Sequence, residues 1–194
     1  HDYGRLTLEM SGGASLSTTG SVFYLTLRSG SYGIINRAIC VPSYNAASIS
    51  NGTWQHHTVT VKAASTNLDV KYYNNGLLNL ARTFPTTVTL ADVPNNINAY
   101  IGALQTSSYG DTYDDDIMVG AGKLSGSIDD FRFWKKSLDN EYVYNTWYYP
   151  VGGGANTDDY RTSLGVYYKF NEGITGTSSL DSMVLDYSGR IANG

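Results

Sequence analysis

Short strand-like runs separated by turn residues recur along this chain, and this pattern constrains its fold more than any other feature. The strongest turn signal is Asn74-Asn75-Gly76, since Asn and Gly tolerate the positive φ angles that tight hairpins require. Strands are predicted at residues 5–10, 21–28, 33–41, 54–63, 68–73, 77–84, 88–90, 98–104, 124–134 and 166–170. So many short strands at close spacing predict an all-β fold with two antiparallel sheets, a sandwich or jelly roll.

The composition agrees with this fold class and argues against one class of partner. The chain has 194 residues, enough for one domain with a proper core, and 17 of them are Tyr, a residue that favours half-buried sheet surfaces. The formal net charge is −4 and the Lys and Arg residues are scattered. Because no basic patch could follow a phosphate backbone, nucleic acid is not expected as a partner. No apolar run is long enough to predict membrane insertion.

One helix is predicted, over residues 137–147. Ser137 can cap its N-terminus, and apolar side chains from Leu138 to Trp147 recur at helical spacing. Pro150 and the glycines at 152–154 then interrupt the pattern. Residues 151–163 are therefore predicted to be a linker or a long loop.

The most distinctive motif lies at residues 126–141, Gly-Ser-Ile-Asp-Asp-Phe-Arg-Phe-Trp-Lys-Lys-Ser-Leu-Asp-Asn-Glu. It resembles the end of the laminin-G-like jelly rolls of the concanavalin A-like superfamily. Three further pieces resemble that family in the expected order: the strand at 54–61, the hairpin at 68–78 and the strand at 99–102. The resemblance implies a jelly roll that recognises surfaces.

Two pieces that the family usually carries at its start occur here near the end. They are Tyr-Tyr-Lys-Phe-Asn-Glu-Gly at 167–173 and Leu-Asp-Tyr-Ser-Gly at 185–189. We therefore expect a laminin-G-like jelly roll over residues 1–150. Residues 164–194 would either start a following repeat or supply a strand that completes the first domain. The chain is expected to be a piece of a longer protein.

Consecutive carboxylates at Asp114, Asp115 and Asp116 are candidate metal ligands. They repel one another, and a hard cation such as Ca²⁺ would relieve that repulsion. The spacing does not match an EF-hand loop. The alternative is an ordinary solvated loop.

A second candidate calcium set comes from the resemblance. It implies that Asp130 and Glu172 would lie near the structural calcium often found in this superfamily, with Asp186 as a further member. The alternative is that Asp129 and Asp186 accept backbone N–H bonds in turns, as short carboxylates do.

The His and Cys residues are predicted to be structural. His56 and His57 are adjacent in a predicted strand, so their side chains point to opposite faces and cannot bind one metal together. Cys40 is the single cysteine and lies in an apolar run, which indicates a small buried side chain and excludes an internal disulfide.

The acidic residues do not form a recognisable catalytic pattern. Glycoside hydrolases that share the superfamily fold use Glu-x-Asp-x-x-Glu on one strand, and Glu9, Glu141 and Glu172 are the only glutamates here. None lies in that arrangement, so the chain is not expected to be an enzyme. A hydrolase is the least favoured hypothesis.

Aromatic residues in or beside predicted loops are the candidate ligand-binding residues. They are Tyr109, Tyr113, Trp147, Tyr148 and Tyr149. Such rings stack on sugar faces and also serve protein contacts. We expect a non-catalytic adhesion or surface-display module of a larger extracellular or virion structural protein, with glycan, protein or other copies of the parent as partners. The alternative is a Ca²⁺-dependent carbohydrate-binding module.

Overall fold

Antiparallel strands dominate this protein, whose computed structural model describes residues 4–10, 20–29, 32–85, 99–102, 124–152, 159–172 and 184–189. The strands are β1 (Gly4–Met10), β2 (Phe23–Ser29), β3 (Tyr32–Ala38), β4 (His57–Ala63), β5 (Asn67–Asn74), β6 (Leu77–Pro85), β7 (Phe131–Trp134) and β8 (Leu164–Tyr168). The helices are short: α1 (Ala46–Ile49), α2 (Asn140–Thr146) and α3 (Asp159–Ser163). The predicted all-β class is confirmed.

The described residues divide into two units. Unit 1 takes those within 1–97 and 137–149, and unit 2 takes those within 98–136 and 150–194. Unit 1 holds two three-stranded sheets, in the orders β1-β2-β3 and β4-β5-β6, and unit 2 holds the pair β7-β8. The larger jelly-roll topology stays a prediction, because each described sheet is small.

The two sheets of unit 1 share one apolar core. Its buried members are Val22, Phe23, Leu25, Ile34, Ile39, Cys40, Leu68, Val70 and Tyr72. Phe23 and Leu25 of β2 and Leu68, Val70 and Tyr72 of β5 are buried at alternate positions, so one face of each of these stretches points into the core. Each large apolar side chain buried in this way contributes about 1.5–3 kcal/mol. Cys40 is fully buried among them, as predicted.

The hairpin between β5 and β6 is confirmed at the predicted turn. Asn75 and Gly76 have φ angles of 47° and 76°, the left-handed pair that matches the twist of two antiparallel strands. Gly76 is needed for a second reason, because a Cβ atom there would overlap the indole of Trp147. The turn and the chain around Trp147 therefore constrain each other.

The predicted helix is confirmed in a shorter form, whereas the predicted N-cap and the expectation of a single helix are wrong. Helix α2 covers Asn140–Thr146 rather than 137–147, and its N-cap is Asp139, whose Oδ1 accepts the Tyr142 N–H at 2.7 Å. A carboxylate at this position satisfies an orphan N–H and also interacts favourably with the helix dipole, so Ser137 does not cap the helix. Helices α1 and α3 were not predicted, since four and five residues are too few to show helical periodicity. Helix α3 begins inside the segment predicted as a linker or loop.

Two of the predicted strands are shorter or missing. Residues 99–102 form no strand, and the run at 124–134 is a strand only from Phe131 onward. Gly102 and Asp130 have φ angles of 75° and 58°, which extended strands do not accommodate. The predicted strand at 88–90 lies outside the described residues.

Unit 2 is built on the antiparallel pair of β7 and β8. Phe131 lies opposite Tyr168, and an isolated bridge joins Tyr168 to Asp186. Leu164 and Tyr167 are buried. Strand β8 thus pairs with β7 at the start of the segment 164–194, and the proposal that this segment begins a following repeat stays a prediction.

Candidate functional site

Three of the five predicted ligand-binding residues form a continuous run of rings at the end of α2. The centroids of Trp147 and Tyr148 lie 5.2 Å apart at 67°, and those of Tyr148 and Tyr149 lie 4.2 Å apart at 39°. Tyr148 and Tyr149 are each 56% exposed. The other two residues, Tyr109 and Tyr113, lie outside the described part of the chain.

Hydrogen bonds attach the start of α2 to the sheet, and the position of the helix in turn sets the position of the rings at its other end. Lys71 Nζ and the Tyr73 hydroxyl, both from β5, donate to Asn140 Oδ1 at 3.0 and 2.6 Å. The buried side chains of Leu138 and Val143 secure the same segment through apolar packing. The first residue of the helix is thus tied to β5, and its C-terminal end presents the rings.

Trp147 is held at the hairpin turn between β5 and β6. Its indole lies against Gly76, and the centroid of the His56 ring is 6.3 Å away. The turn itself is clamped to His56, whose N–H donates to Asn75 Oδ1 at 2.8 Å while the Asn75 N–H donates to the His56 carbonyl at 2.8 Å. Trp147 therefore has a fixed position, and the two tyrosines extend from it into solvent.

Tyr144 adds a fourth ring that the sequence analysis did not select. It is 55% exposed, and it lies near enough to Tyr148 for its phenol to contribute to the raised pKa of Tyr148. We call Tyr144, Trp147, Tyr148 and Tyr149 the aromatic surface. The predicted helix over residues 137–147 already contained Tyr144, and its exposure is what adds it to the surface.

A hydrogen bond joins the phenols of Tyr148 and Tyr149. A hydrogen bond with Tyr149 is the main cause that raises the pKa of Tyr148, and the nearby Tyr149 and Tyr144 groups add to it. Tyr148 is therefore neutral at physiological pH. The surface thus offers exposed ring faces bordered by hydroxyl groups that can donate and accept hydrogen bonds.

Asp130, a predicted calcium ligand, forms an ion pair with Arg132 of the strand that follows it, β7. Arg132 donates to both of its carboxylate oxygens, Nε to Oδ1 at 2.9 Å and an Nη to Oδ2 at 2.5 Å. The same guanidinium lies 5.2 Å from the centroid of the Tyr167 ring. A bidentate partner uses the lone pairs that a metal would need.

Both carboxylate oxygens of Asp186 accept hydrogen bonds within the protein. Its Oδ1 accepts the N–H groups of Tyr167 and Ser188, each at 2.9 Å, and its Oδ2 accepts the Ser188 hydroxyl at 2.8 Å. This is the backbone-capping arrangement that was the alternative to a metal ligand.

Glu172 differs from the other two carboxylates. Partial burial is the main cause that raises the pKa of Tyr187, and a hydrogen bond with Glu172 adds to it. Glu172 Oε1, however, is buried without a hydrogen-bond partner. Across the described ranges, no three His, Cys, Asp or Glu side chains are grouped so that they could hold a metal. Asp130 and Asp186 use carboxylate oxygens in bonds within the protein, and the predicted role of Asp130 and Glu172 as calcium ligands stays a prediction. Asp114, Asp115 and Asp116 lie outside those ranges, so calcium stays a prediction.

The two adjacent histidines have different surroundings. His57 Nδ1 is 2.8 Å from the Tyr72 hydroxyl, and its ring centroid lies 4.9 Å from that of Phe23 in the core. His56 faces Trp147 instead. Burial lowers the pKa of His57 to about 4, with His56 as a smaller cause, so the imidazole is neutral at pH 7.

Comparisons with family models, with curated proteins and with solved structures found no match for this chain. Of the helices in the described ranges, none is long and apolar enough to cross a bilayer. Function is therefore inferred from the side chains themselves.

Proposed function

We propose that this chain is a non-catalytic binding module that contacts glycan through its aromatic surface. The observation that carries this proposal is the run of Trp147, Tyr148 and Tyr149, in which two exposed tyrosines follow an anchored tryptophan. A sugar ring has an apolar C–H face and a border of hydroxyl groups. Exposed ring faces and neutral phenols match both parts of it.

Rigidity of the surface also favours binding. The indole of Trp147 is confined by Gly76 and His56, and α2 is tied to β5 through Asn140. Aromatic side chains have few rotatable bonds, so little conformational entropy is lost when a ligand covers them. A protein partner is the other class that such rings would suit.

We propose further that the module belongs to a laminin-G-like jelly roll in a larger extracellular or virion structural protein. The sequence resemblance and the shared core of the two sheets in unit 1 support this assignment. A Ca²⁺-dependent form of glycan binding is the alternative. A calcium site for this form would need ligands beyond Glu172 Oε1, which is the one buried side-chain oxygen without a hydrogen-bond partner in the described ranges.

A glycan array followed by calorimetry on the best ligand tests this proposal. We expect Y148A and Y149A each to lower the affinity about tenfold, which corresponds to the loss of one stacking contact. Y32A is the matched control, because Tyr32 is also an exposed tyrosine of unit 1 but lies on β3. An array without any hit would refute glycan binding. An equal loss in the control would refute the assigned surface.

The same titration separates the calcium-dependent alternative. Under the main proposal, the affinity is the same with about 1 mM Ca²⁺ and with a chelator, whereas the alternative requires that the chelator abolish binding. A higher melting temperature in calcium together with loss of binding in chelator would favour the alternative.

A further inference from the structure

Strand β1 carries an apolar stripe that the protein leaves uncovered. Leu6, Leu8 and Met10 lie directly opposite the core-facing residues of β2: Leu27, Leu25 and Phe23. They share the core side of the sheet, yet they are 55%, 48% and 43% exposed. Three exposed apolar side chains in a row on a sheet edge are unusual, because such an edge invites another strand.

The other face of β1 has a symmetric pattern of charge. Arg5 and Glu9 lie at equal distances on either side of Thr7, and all three point away from the core side. Four residues of an extended strand span about 13 Å, so the two charges are too far apart to pair within one strand. Arg5 lies directly opposite Arg28 of β2, and its Nε donates to Thr7 Oγ1 at 3.1 Å on the same face of β1.

An antiparallel copy of the same strand satisfies both faces at once. Residues directly opposite one another in neighbouring strands lie on the same face of the sheet. The apolar residues of β1 therefore meet the apolar residues of the second β1 only if the two-fold axis passes through a residue, not between two residues. An axis through Thr7 places Arg5 opposite Glu9 of the second copy, and Glu9 opposite Arg5 of that copy. It also places Leu6 beside Leu8 of the second copy. Axes through Leu6 or Leu8 leave both charges unmatched.

The other edge strands of unit 1 lack this pattern. Each carries basic residues without an acidic one: Arg37 on β3, Lys62 on β4 and Arg82 on β6. Strand β3 also has a bulge, with Asn36 at a φ angle of 47°, and β6 ends at Pro85. Isolated basic charges, bulges and proline are the usual devices that prevent edge pairing, and β1 has none of them.

We infer that β1 pairs with β1 of a second copy of this chain, joining two three-stranded sheets into one sheet across a two-fold axis. Within the described ranges β1 pairs only with β2, so its outer edge is the side that the second copy takes. The interface is one strand wide and has two symmetric ion pairs. It is therefore a weak, reversible dimer contact rather than a permanent one. This inference is independent of the aromatic surface.

Sedimentation velocity over about 1 µM to about 1 mM protein tests the pairing. Wild type forms dimers at the upper end of this range. R5E or E9R alone places like charges opposite each other and weakens dimerisation at least tenfold, while the double variant R5E/E9R restores it. K62E reverses an exposed charge on β4 and serves as the control, with dimerisation unchanged. Circular dichroism verifies that each variant is folded.

Mixing the two single variants gives an independent measurement. An R5E strand presents two acidic residues and an E9R strand presents two basic ones, so the mixture forms a heterodimer although neither variant dimerises alone. A wild type that stays monomeric throughout would overturn the inference. So would a dimer insensitive to the single charge reversals, or the absence of association in both the double variant and the mixture.

Discussion

Single side chains in this protein have roles that follow from the face of the strand on which they lie. His56 and His57 are neighbours in sequence, yet one contacts Trp147 at the aromatic surface and the other lies against Phe23 in the core. Alternation along a strand is sufficient to predict this separation. It also predicts that the core histidine links stability to pH.

The expected pH dependence follows from the pKa of His57, which burial lowers from 6.5 to about 4. Between these values the unfolded chain binds a proton that the folded chain excludes, so stability is complete above pH 6.5 and falls as the pH drops toward 4. The loss is about 2 kcal/mol, allowing for the partial exposure of the ring. Urea unfolding at several pH values, comparing wild type with H57Q, measures it.

The matched control for this experiment is H56Q. It removes the neighbouring imidazole, which is the smaller of the two causes that lower the pKa of His57. Stability of H56Q should retain most of the slope between pH 6.5 and 4, whereas H57Q should lose it. Equal slopes in wild type and H57Q would show that the neutral core imidazole is not responsible for any pH dependence.

At the scale of elements, the structure shows how a helix and a hairpin position the aromatic surface together. Helix α2 is attached to β5 through Asn140, and Trp147 at its end lies against the turn at Gly76. A change in the turn should therefore affect the helix end, although the two are distant in sequence.

Gly76→Ala tests this coupling against a closely matched control. Gly76 and Gly52 both have a φ angle of 76°, but a Cβ atom at Gly52 meets nothing within 4 Å, whereas at Gly76 it overlaps Trp147. Both variants lose about 1 kcal/mol from the left-handed backbone, and G76A loses about 1–3 kcal/mol more because the indole must move. Chemical denaturation gives the difference. Equal losses would mean that Trp147 does not depend on the turn.

The elements that the sequence could predict are those with local, repeated signals. Alternation identified the six strands of unit 1, and Asn75-Gly76 identified the hairpin turn. The N-cap was misplaced because Ser137 and Asp139 are both good caps, and only the geometry of the chain selects between them. Asp130 is predicted as a metal ligand, and Arg132, two residues on along the chain, is the local signal for the ion pair that the structure shows.

What the sequence could not provide are relations between elements. The confinement of Trp147 by a turn about 70 residues earlier depends on how α2 meets the sheet, and no local pattern records it. The exposure of Leu6, Leu8 and Met10 is of the same kind. Their alternation correctly predicts a strand, but the sequence does not show that the opposite sheet leaves them uncovered.

For the whole molecule, the edge of β1 and the aromatic surface combine into one expectation. Both belong to unit 1, so a dimer through β1 carries two aromatic surfaces. With glycan binding as proposed, two binding surfaces on one dimer raise the effective concentration of the second contact at a glycan-coated surface. Dimerisation should therefore strengthen attachment to a surface that displays many glycans without altering the affinity for one soluble glycan.

Binding of wild type and E9R to the same glycan, once free in solution and once densely immobilised, checks this expectation. We expect equal affinities in solution and at least tenfold weaker retention of E9R on the dense surface. Because E9R removes only the pairing of β1, an equimolar mixture of E9R and R5E should recover the retention. The recovery separates avidity from a defect in the binding site, since that defect would lower the solution affinity and persist in the mixture. Equal retention of wild type and E9R would show that the two features of unit 1 act separately.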